Sequence, residues 1–297
     1  MTQPSRAPAL LGLTLATAIW GSTFLVTKDS LDTMSVGNFL LWRFGIAAVI
    51  LLVLAPRRWL RLSRRDVRRG LIIGVFLGSG FLAQTTGLQQ TSAAVSGFLT
   101  GLMVVLTPIV AAILFQERIA ARGWVAVVVA TVGLALLALQ GWALSPGAGL
   151  TILGALLFAL QIASLSHWAT PDNSYGLTTV AVVVAAAMAL VAALVGSGVS
   201  PPAGTDDWVA VLYLAVGATC LGFVLQAWSQ AHLSTVTAAV IMTLEPVFAG
   251  AIAVLIGGET LTARMWLGSS LIVAAMLVAE LGPRAGKDAR VPQMEAF

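Results

Sequence analysis

Charge is what this chain has least of. Only 9% of its 297 residues are Asp, Glu, Lys or Arg, against about a quarter in a domain built for water, so water is not the main solvent of its surface. Cysteine is almost missing as well: the single Cys220 excludes an internal disulfide framework and a four-cysteine metal site. The histidines, His167 and His232, are far apart and fall short of a zinc ligand set. No Gly-x-x-x-x-Gly-Lys-Ser/Thr run is present to cradle a nucleotide phosphate. Nothing in the residues calls for a cofactor, and ATP is excluded as a direct driver.

What is present is apolar, at 59% of residues, and arranged in long uncharged runs. A helix needs about 20 such residues to cross a bilayer, and backbone groups in lipid must bond within their own segment. Residues 7–27 and 35–55 read as the first two spans, the second interrupted by Arg43. Residues 70–116 carry no charge and fit two spans turning near Gln89-Gln90-Thr91-Ser92. Residues 123–171 fit two more, broken around Pro146, and spans seven to ten occupy 177–195, 208–230, 235–257 and 262–279. Arg6 ahead of the first span gives it the look of a signal peptide. Its apolar stretch is long for an h-region and further spans follow, so it reads as retained.

The basic residues set the expected orientation. Arg57, Arg58, Arg61, Arg64, Arg65, Arg68 and Arg69 crowd one short stretch; between apolar runs this reads as a cytoplasmic loop on an anionic leaflet, not as the extended basic face of a nucleic-acid binder. With both termini cytoplasmic, 13 of the 16 Lys and Arg fall inside, including Arg6, Arg118 and Arg122, and only Lys28 and Arg264 fall outside. Trp59 and Leu60 among the loop arginines resemble an interfacial helix.

The chain also matches itself. At an offset of 142 residues, Gly80/Gly222, Phe81/Phe223, Gln84/Gln226, Ser92/Ser234, Leu102/Leu244, Glu117/Glu259, Ala121/Ala263, Arg122/Arg264 and Trp124/Trp266 are identical without a gap. The matched pieces are spans three to five and eight to ten. Equivalents are five crossings apart, an odd number, so each copy must run through the bilayer in the opposite sense. The expected architecture is an all-α integral membrane protein of ten transmembrane helices in two inverted five-helix repeats, 7–140 and 148–281, with a cytoplasmic tail at 282–297. Inverted pairs recur in secondary transporters, with the site near the midplane. The alternatives are a passive channel for small solutes and, against the scattered acids and histidines, an intramembrane enzyme.

Several short motifs fall in a consistent order: Trp20-Gly21, Trp42-Arg43-Phe44, Phe98-Leu99-Thr100-Gly101-Leu102, Pro108, Glu117-Arg118, Leu244-Glu245-Pro246-Val247-Phe248 and Gly258-Glu259-Thr260-Leu261-Thr262. With the duplicated plan, they make the chain resemble the EamA-type members of the drug/metabolite transporter superfamily. The resemblance implies export or exchange of metabolites, amino acids or drug-like compounds across a bacterial inner membrane. One departure is that Pro108 and Pro246 do not align, so two kinks at different depths are expected.

Six residues are the candidate substrate-binding set. Glu245 falls near mid-bilayer, where a carboxylate needs water, a partner or a proton. Pro246, lacking an N–H, frees the carbonyl of Met242. Arg43 suits a carboxylate; with Glu245 it suggests a zwitterion, unless the two pair with each other. A lone intramembrane cation argues against multiply charged anions. Gln84 and Gln226 are repeat-related amides, fit to line a cavity or to tie helices. Gln161, with Ser164, gives span six a polar stripe, and Trp20 is deep enough to stack on a solute. Trp168, Trp228, His167 and His232 fall near span ends and read as anchors and end groups, and Glu117 and Glu259 as loop charges. Gly74 and Gly78 have the four-residue spacing that lets helices approach. The expected partners are a small-molecule substrate and the lipid bilayer, with proton coupling available through Glu245; the residues do not choose between monomer and homodimer.

Overall fold

The structure, a computed structural model, describes residues 6–91, 93–138, 146–255 and 263–280. Of the expected break at 141–149, residues 141–145 lie outside the described residues, as do Ser92, Glu259 and the tail 282–297, while residues 146–149 form the first turn of a helix that starts at Pro146. In chain order the helices are α1 (Arg6–Gly21), α2 (Thr23–Ser30), α3 (Val36–Leu54), α4 (Pro56–Leu60), α5 (Arg64–Gln89), α6 (Ala93–Gly101), α7 (Met103–Phe115), α8 (Ala121–Ala138), α9 (Pro146–Trp168), α10 (Ser174–Val195), α11 (Thr205–Tyr213), a π-helical segment (Leu214–Leu221), α12 (Gly222–Gln230), α13 (Thr235–Met242), α14 (Leu244–Leu255) and α15 (Ala263–Glu280). No strand occurs among the described residues. Serines start several of them by accepting a backbone N–H: Ser35 from Asn38, Ser63 from Asp66, Ser234 from Thr237.

Six stretches are long and apolar enough to cross a membrane: Arg6–Ser30, Val36–Leu54, Arg64–Gln89, Pro146–Trp168, Ser174–Val195 and Thr205–Gln230. The remaining expected spans fall on shorter apolar helices, which include Leu99–Phe115, Ala121–Gly133 and Trp266–Ala275. The distribution of side chains is that of a lipid-facing bundle. Large aliphatics such as Leu11, Val53, Ile113 and Val195 point outward, while the interior holds Ala, Thr, Ser and Gln beside Leu and Phe. Lipid tails give no hydrophobic drive to join such helices, so close packing does.

Glycines supply that closeness. Gly70, Gly74 and Gly78 lie four residues apart on α5 and meet Val180, Ala181, Val184 and Met188 of α10; a Cβ on Gly74 would stand 2.6 Å from Cβ of Val184. The four-residue spacing read from the sequence thus marks the α5–α10 seam. Opposite it, Gly80 admits the Phe158 ring of α9 and Gly222 admits the Trp20 indole of α1, each within 2.8 Å of where a Cβ would stand. These two glycines are 142 residues apart, so equivalent positions hold equivalent aromatic contacts.

Contacts define two ends of the bundle. At the arginine-loop end, Arg69 pairs with Asp66 at 3.2 Å and lies over Trp168, Arg58 lies over Tyr175, and Asn173 donates to Asp66. The Trp59 indole donates to the Leu52 carbonyl while Leu60 is exposed. At the opposite end, Asn38 is held by Ser197 and Gly198, and Thr33 donates to Asp207. There Lys28 Nζ, on α2, donates to the carbonyls of Leu88 at 2.8 Å and Thr91 at 2.7 Å, capping the last turn of α5.

Three helical stretches are interrupted along their length. The helical ladder breaks at Ser22, Leu102 and Thr243, each N–H turning back to the carbonyl three residues earlier, Ile19, Leu99 and Val240. With the offset of 142, Leu102 corresponds to Leu244, so the second and third breaks are one residue from equivalence. The expectation of unequal kink depths, drawn from Pro108 and Pro246, therefore does not describe these breaks: α7 continues through Pro108, and its interruption follows Gly101 instead.

Candidate solute-binding cavity

The broken helices converge on one cavity. Its empty space, mouth and adjoining open solvent included, is about 650 Å³. Its wall takes residues from both sides of each break: Trp20 with Thr23, Thr100 with Met103, and Met242 with Glu245. A helix interrupted there gives up regular hydrogen bonds, a cost tolerated in a membrane protein where the backbone lines a cavity or is buried in protein. The lining reaches Thr27 and Leu88, near the end opposite the arginine loop, and runs inward to Ile162 and Gln226.

All six candidates from the sequence, Trp20, Arg43, Gln84, Gln161, Gln226 and Glu245, lie on this wall. Arg43 does not snorkel to the surface: it is 3% exposed, donates from Nε to Thr219 Oγ1 at 3.0 Å, and holds its guanidinium 4.7 Å from the Phe81 ring centroid and 5.4 Å from that of Phe44. Its partner Thr219 belongs to the π-helical segment, where the widened turn also leaves the Ala218 carbonyl free to accept Trp20 Nε1 at 2.8 Å. Trp20 is tilted against Phe223 with ring centroids 5.3 Å apart.

Arg43 and Glu245 share the cavity but do not form an ion pair. The ion pairs among the described residues are Arg69–Asp66 and His167–Glu117. Each of the two cavity charges therefore keeps hydrogen-bonding capacity for something else. The amides differ from one another. Gln84 Nε2 donates to Thr100 Oγ1 at 2.8 Å, whereas Gln226 Nε2 reaches only Gln161 Oε1 at 3.5 Å and Met242 Sδ at 3.9 Å. Among the described residues no group of three or more His, Cys, Asp or Glu could hold a metal.

The sequence missed the aromatic half of the wall. Phe24, Phe81, Phe158 and Phe223 line the cavity, and Phe81 stands edge-on to Phe44, Phe158 and Phe223, the last at 6.0 Å. A signal existed: Phe81 and Phe223 are repeat mates, each three residues before a repeat-related Gln and so on the same helical face. The π-helical segment has no comparable signature.

Other expectations sort as follows. Trp168 packs against Phe115 and Arg69, and Trp228 against His232, all away from the cavity. Ser164 is buried and does not line it. His232 Nδ1 donates to the Trp228 carbonyl at 2.8 Å. Glu117 is more than a loop charge: its carboxylate lies 3.5 Å from His167 Nδ1 and accepts from Thr235 Oγ1 at 2.9 Å, with Phe115 stacked on the imidazole at 4.3 Å. This cluster ties the starts and ends of α7, α9 and α13 together at the arginine-loop end, beyond the floor of the cavity.

The model of the EamA-like transporter family matches residues 7–139 and 145–280. An uncharacterized transporter of Archaeoglobus fulgidus is 33% identical over 279 residues, covering 93% of this chain and 87% of that protein. The uncharacterized transporter YyaM of Bacillus subtilis is 24% identical over 288 residues, covering 91% and 92%. One solved crystal structure shares the fold at a TM-score of 0.78 with 19% identity, over 93% of this chain and 98% of that one. With family matches over both halves and a relative one third identical along nearly its whole length, this multi-pass membrane protein belongs to the EamA-like transporter family.

Proposed function

We propose that the chain is a secondary transporter that moves a small zwitterionic organic solute, an amino acid or a similar metabolite, by alternating access between two inverted five-helix halves. In this reading it crosses a bacterial inner membrane ten times with both termini cytoplasmic, and it exports its solute. The observation that carries the proposal is that Arg43 and Glu245 line one buried cavity without pairing with each other. Arg43 takes the carboxylate, Glu245 takes the ammonium or a coupled proton, and Gln84, Gln161 and Gln226 orient the backbone-like polar atoms. Trp20, Phe24 and Phe81 offer an apolar wall to the side chain. Near-equivalent breaks at Leu102 and Thr243 support a hinge in each half.

The direct experiment is counterflow in proteoliposomes with a panel of labelled amino acids. Accelerated, saturable exchange is expected; flux that rises linearly without saturation would mark a channel and end the carrier reading. Reporter fusions after Arg69 and after Gln90 are expected on opposite faces of the membrane, and landing on one face would remove the inverted topology.

A further inference from the structure

We propose that Gln226 is a swinging gate between the central cavity and a second cavity leading toward the arginine-loop end, and that Met242 keeps this gate unlatched. The proposal rests on the transporter reading and adds to it the inner half of the route and the residue that opens it.

The second cavity, about 220 Å³ of empty volume, lies among α5, α9, α10 and α12. Its own residues are Ile73, Leu165, Thr178, Ala181 and Val182; Leu77, Gln161, Phe223 and Gln226 belong to both cavities and therefore form the partition. Ile73 is one turn from Leu77 toward Arg64, Leu165 is one turn from Gln161 toward Trp168, and Thr178 and Ala181 sit in the first turns of α10. All three directions point to the arginine-loop end. The space beyond this partition is a constriction with room for about one water, so a solute leaving the central cavity passes only as the side chains of the partition move aside.

Within the partition Gln226 is the loose member. It is 1% exposed, and its Oε1 has no hydrogen-bond partner among the described residues. Its Nε2 has only the long contacts to Gln161 and Met242. A buried carbonyl oxygen left without a donor is destabilising, and an arriving solute N–H relieves that by drawing the amide round.

The other half of the molecule shows what a fixed version looks like. Gln84 and Gln226 are 142 residues apart, and so are Thr100 and Met242. The same pair of positions touches in both halves, but Gln84 meets a hydroxyl at 2.8 Å and Gln226 a thioether at 3.9 Å. A thioether sulfur is a weak acceptor. The single difference between threonine and methionine thus separates a latched amide from a free one.

The test installs the missing latch. Met242→Thr gives Gln226 the hydroxyl that Gln84 has, and Met242→Val makes nearly the same truncation without it. With the labelled amino acid that the parent protein exchanges fastest, Met242→Thr is expected to run counterflow about five-fold slower than Met242→Val, the factor one net hydrogen bond supplies. A second measurement needs no solute. In a Cys220→Ala background, Ala181→Cys in everted vesicles is expected to react with a membrane-impermeant methanethiosulfonate cation from the cytoplasmic side. Adding Met242→Thr should slow that labelling by a similar factor, and Ala189→Cys, packed away from both cavities, should stay unlabelled. Equal rates for the Thr and Val variants in both assays would overturn the gate, and so would labelling at Ala181→Cys no faster than at Ala189→Cys. If the parent shows no counterflow at all, the carrier reading fails while the labelling comparison still decides the gate.

Discussion

Replacing Arg43 by lysine separates a substrate-binding arginine from a merely structural one. The charge stays, so its attraction to Glu245 across the cavity stays. What goes is the planar fork: the Nε bond to Thr219 at 3.0 Å and the guanidinium face 4.7 Å from Phe81. A hydrogen bond to a charged group is worth about 1.5–3 kcal/mol, which corresponds to roughly 10- to 150-fold in affinity. An ammonium can make one bond to a carboxylate but not two in parallel, so Arg43→Lys is expected near the lower end, about 10-fold weaker half-saturation for an amino acid. The assay is counterflow with an amino acid and, in parallel, with the amine that lacks its carboxylate. If Arg43 holds the carboxylate, the amine is affected less than about two-fold, because it never made the lost bond. Equal weakening of both solutes would refute the reasoning and return Arg43 to a role in holding α3 against the π-helical segment.

Two more outcomes follow from the same wall. Glu245→Gln, which keeps shape and removes the titratable group, is expected to flatten the pH dependence of exchange while lowering its rate about 10-fold, the worth of one hydrogen bond to a charged group; unchanged exchange and pH profile would remove Glu245 from the mechanism. Trp20→Phe leaves the Ala218 carbonyl without its indole donor and is expected to cost about 1–3 kcal/mol of stability, read as a lower midpoint of thermal unfolding in detergent, with Trp20→Phe equal to the parent as the contrary result.

Spans were legible because lipid leaves the backbone no alternative to a helix, and a run of uncharged residues is then sufficient notice. The cavity residues were legible for a related reason. Arg43 and Glu245 are costly where they fall, and the glutamines matched in register between the halves, which apolar residues do by chance. The phenylalanines escaped because an aromatic ring in an apolar run costs nothing and so announces nothing. Pro246 marked its break, since the N–H it lacks would have bonded the Met242 carbonyl and the ladder turns at Thr243 beside it, where the Thr243 hydroxyl donates to the Val240 carbonyl; Pro108 misled, since α7 continues through it and the break falls at Leu102. Glu117 does stand in the loop after α7, as its position suggested, but its partners His167 and Thr235 were not legible because they come from distant helices that only packing brings together.

The lysine cap described at the far end of the bundle has a mechanical corollary. Lys28 binds two carbonyls at the close of α5, so α2 is fastened to that helix much as a handle is riveted to its blade. Displacement of α5 would pull on α2 through these bonds, whereas α1 packs mainly against α12 and α14. The break at Ser22, beside Trp20 and Thr23, is where such a motion would bend the chain, so a push delivered at the end opposite the arginine loop would change the width where the solute would sit.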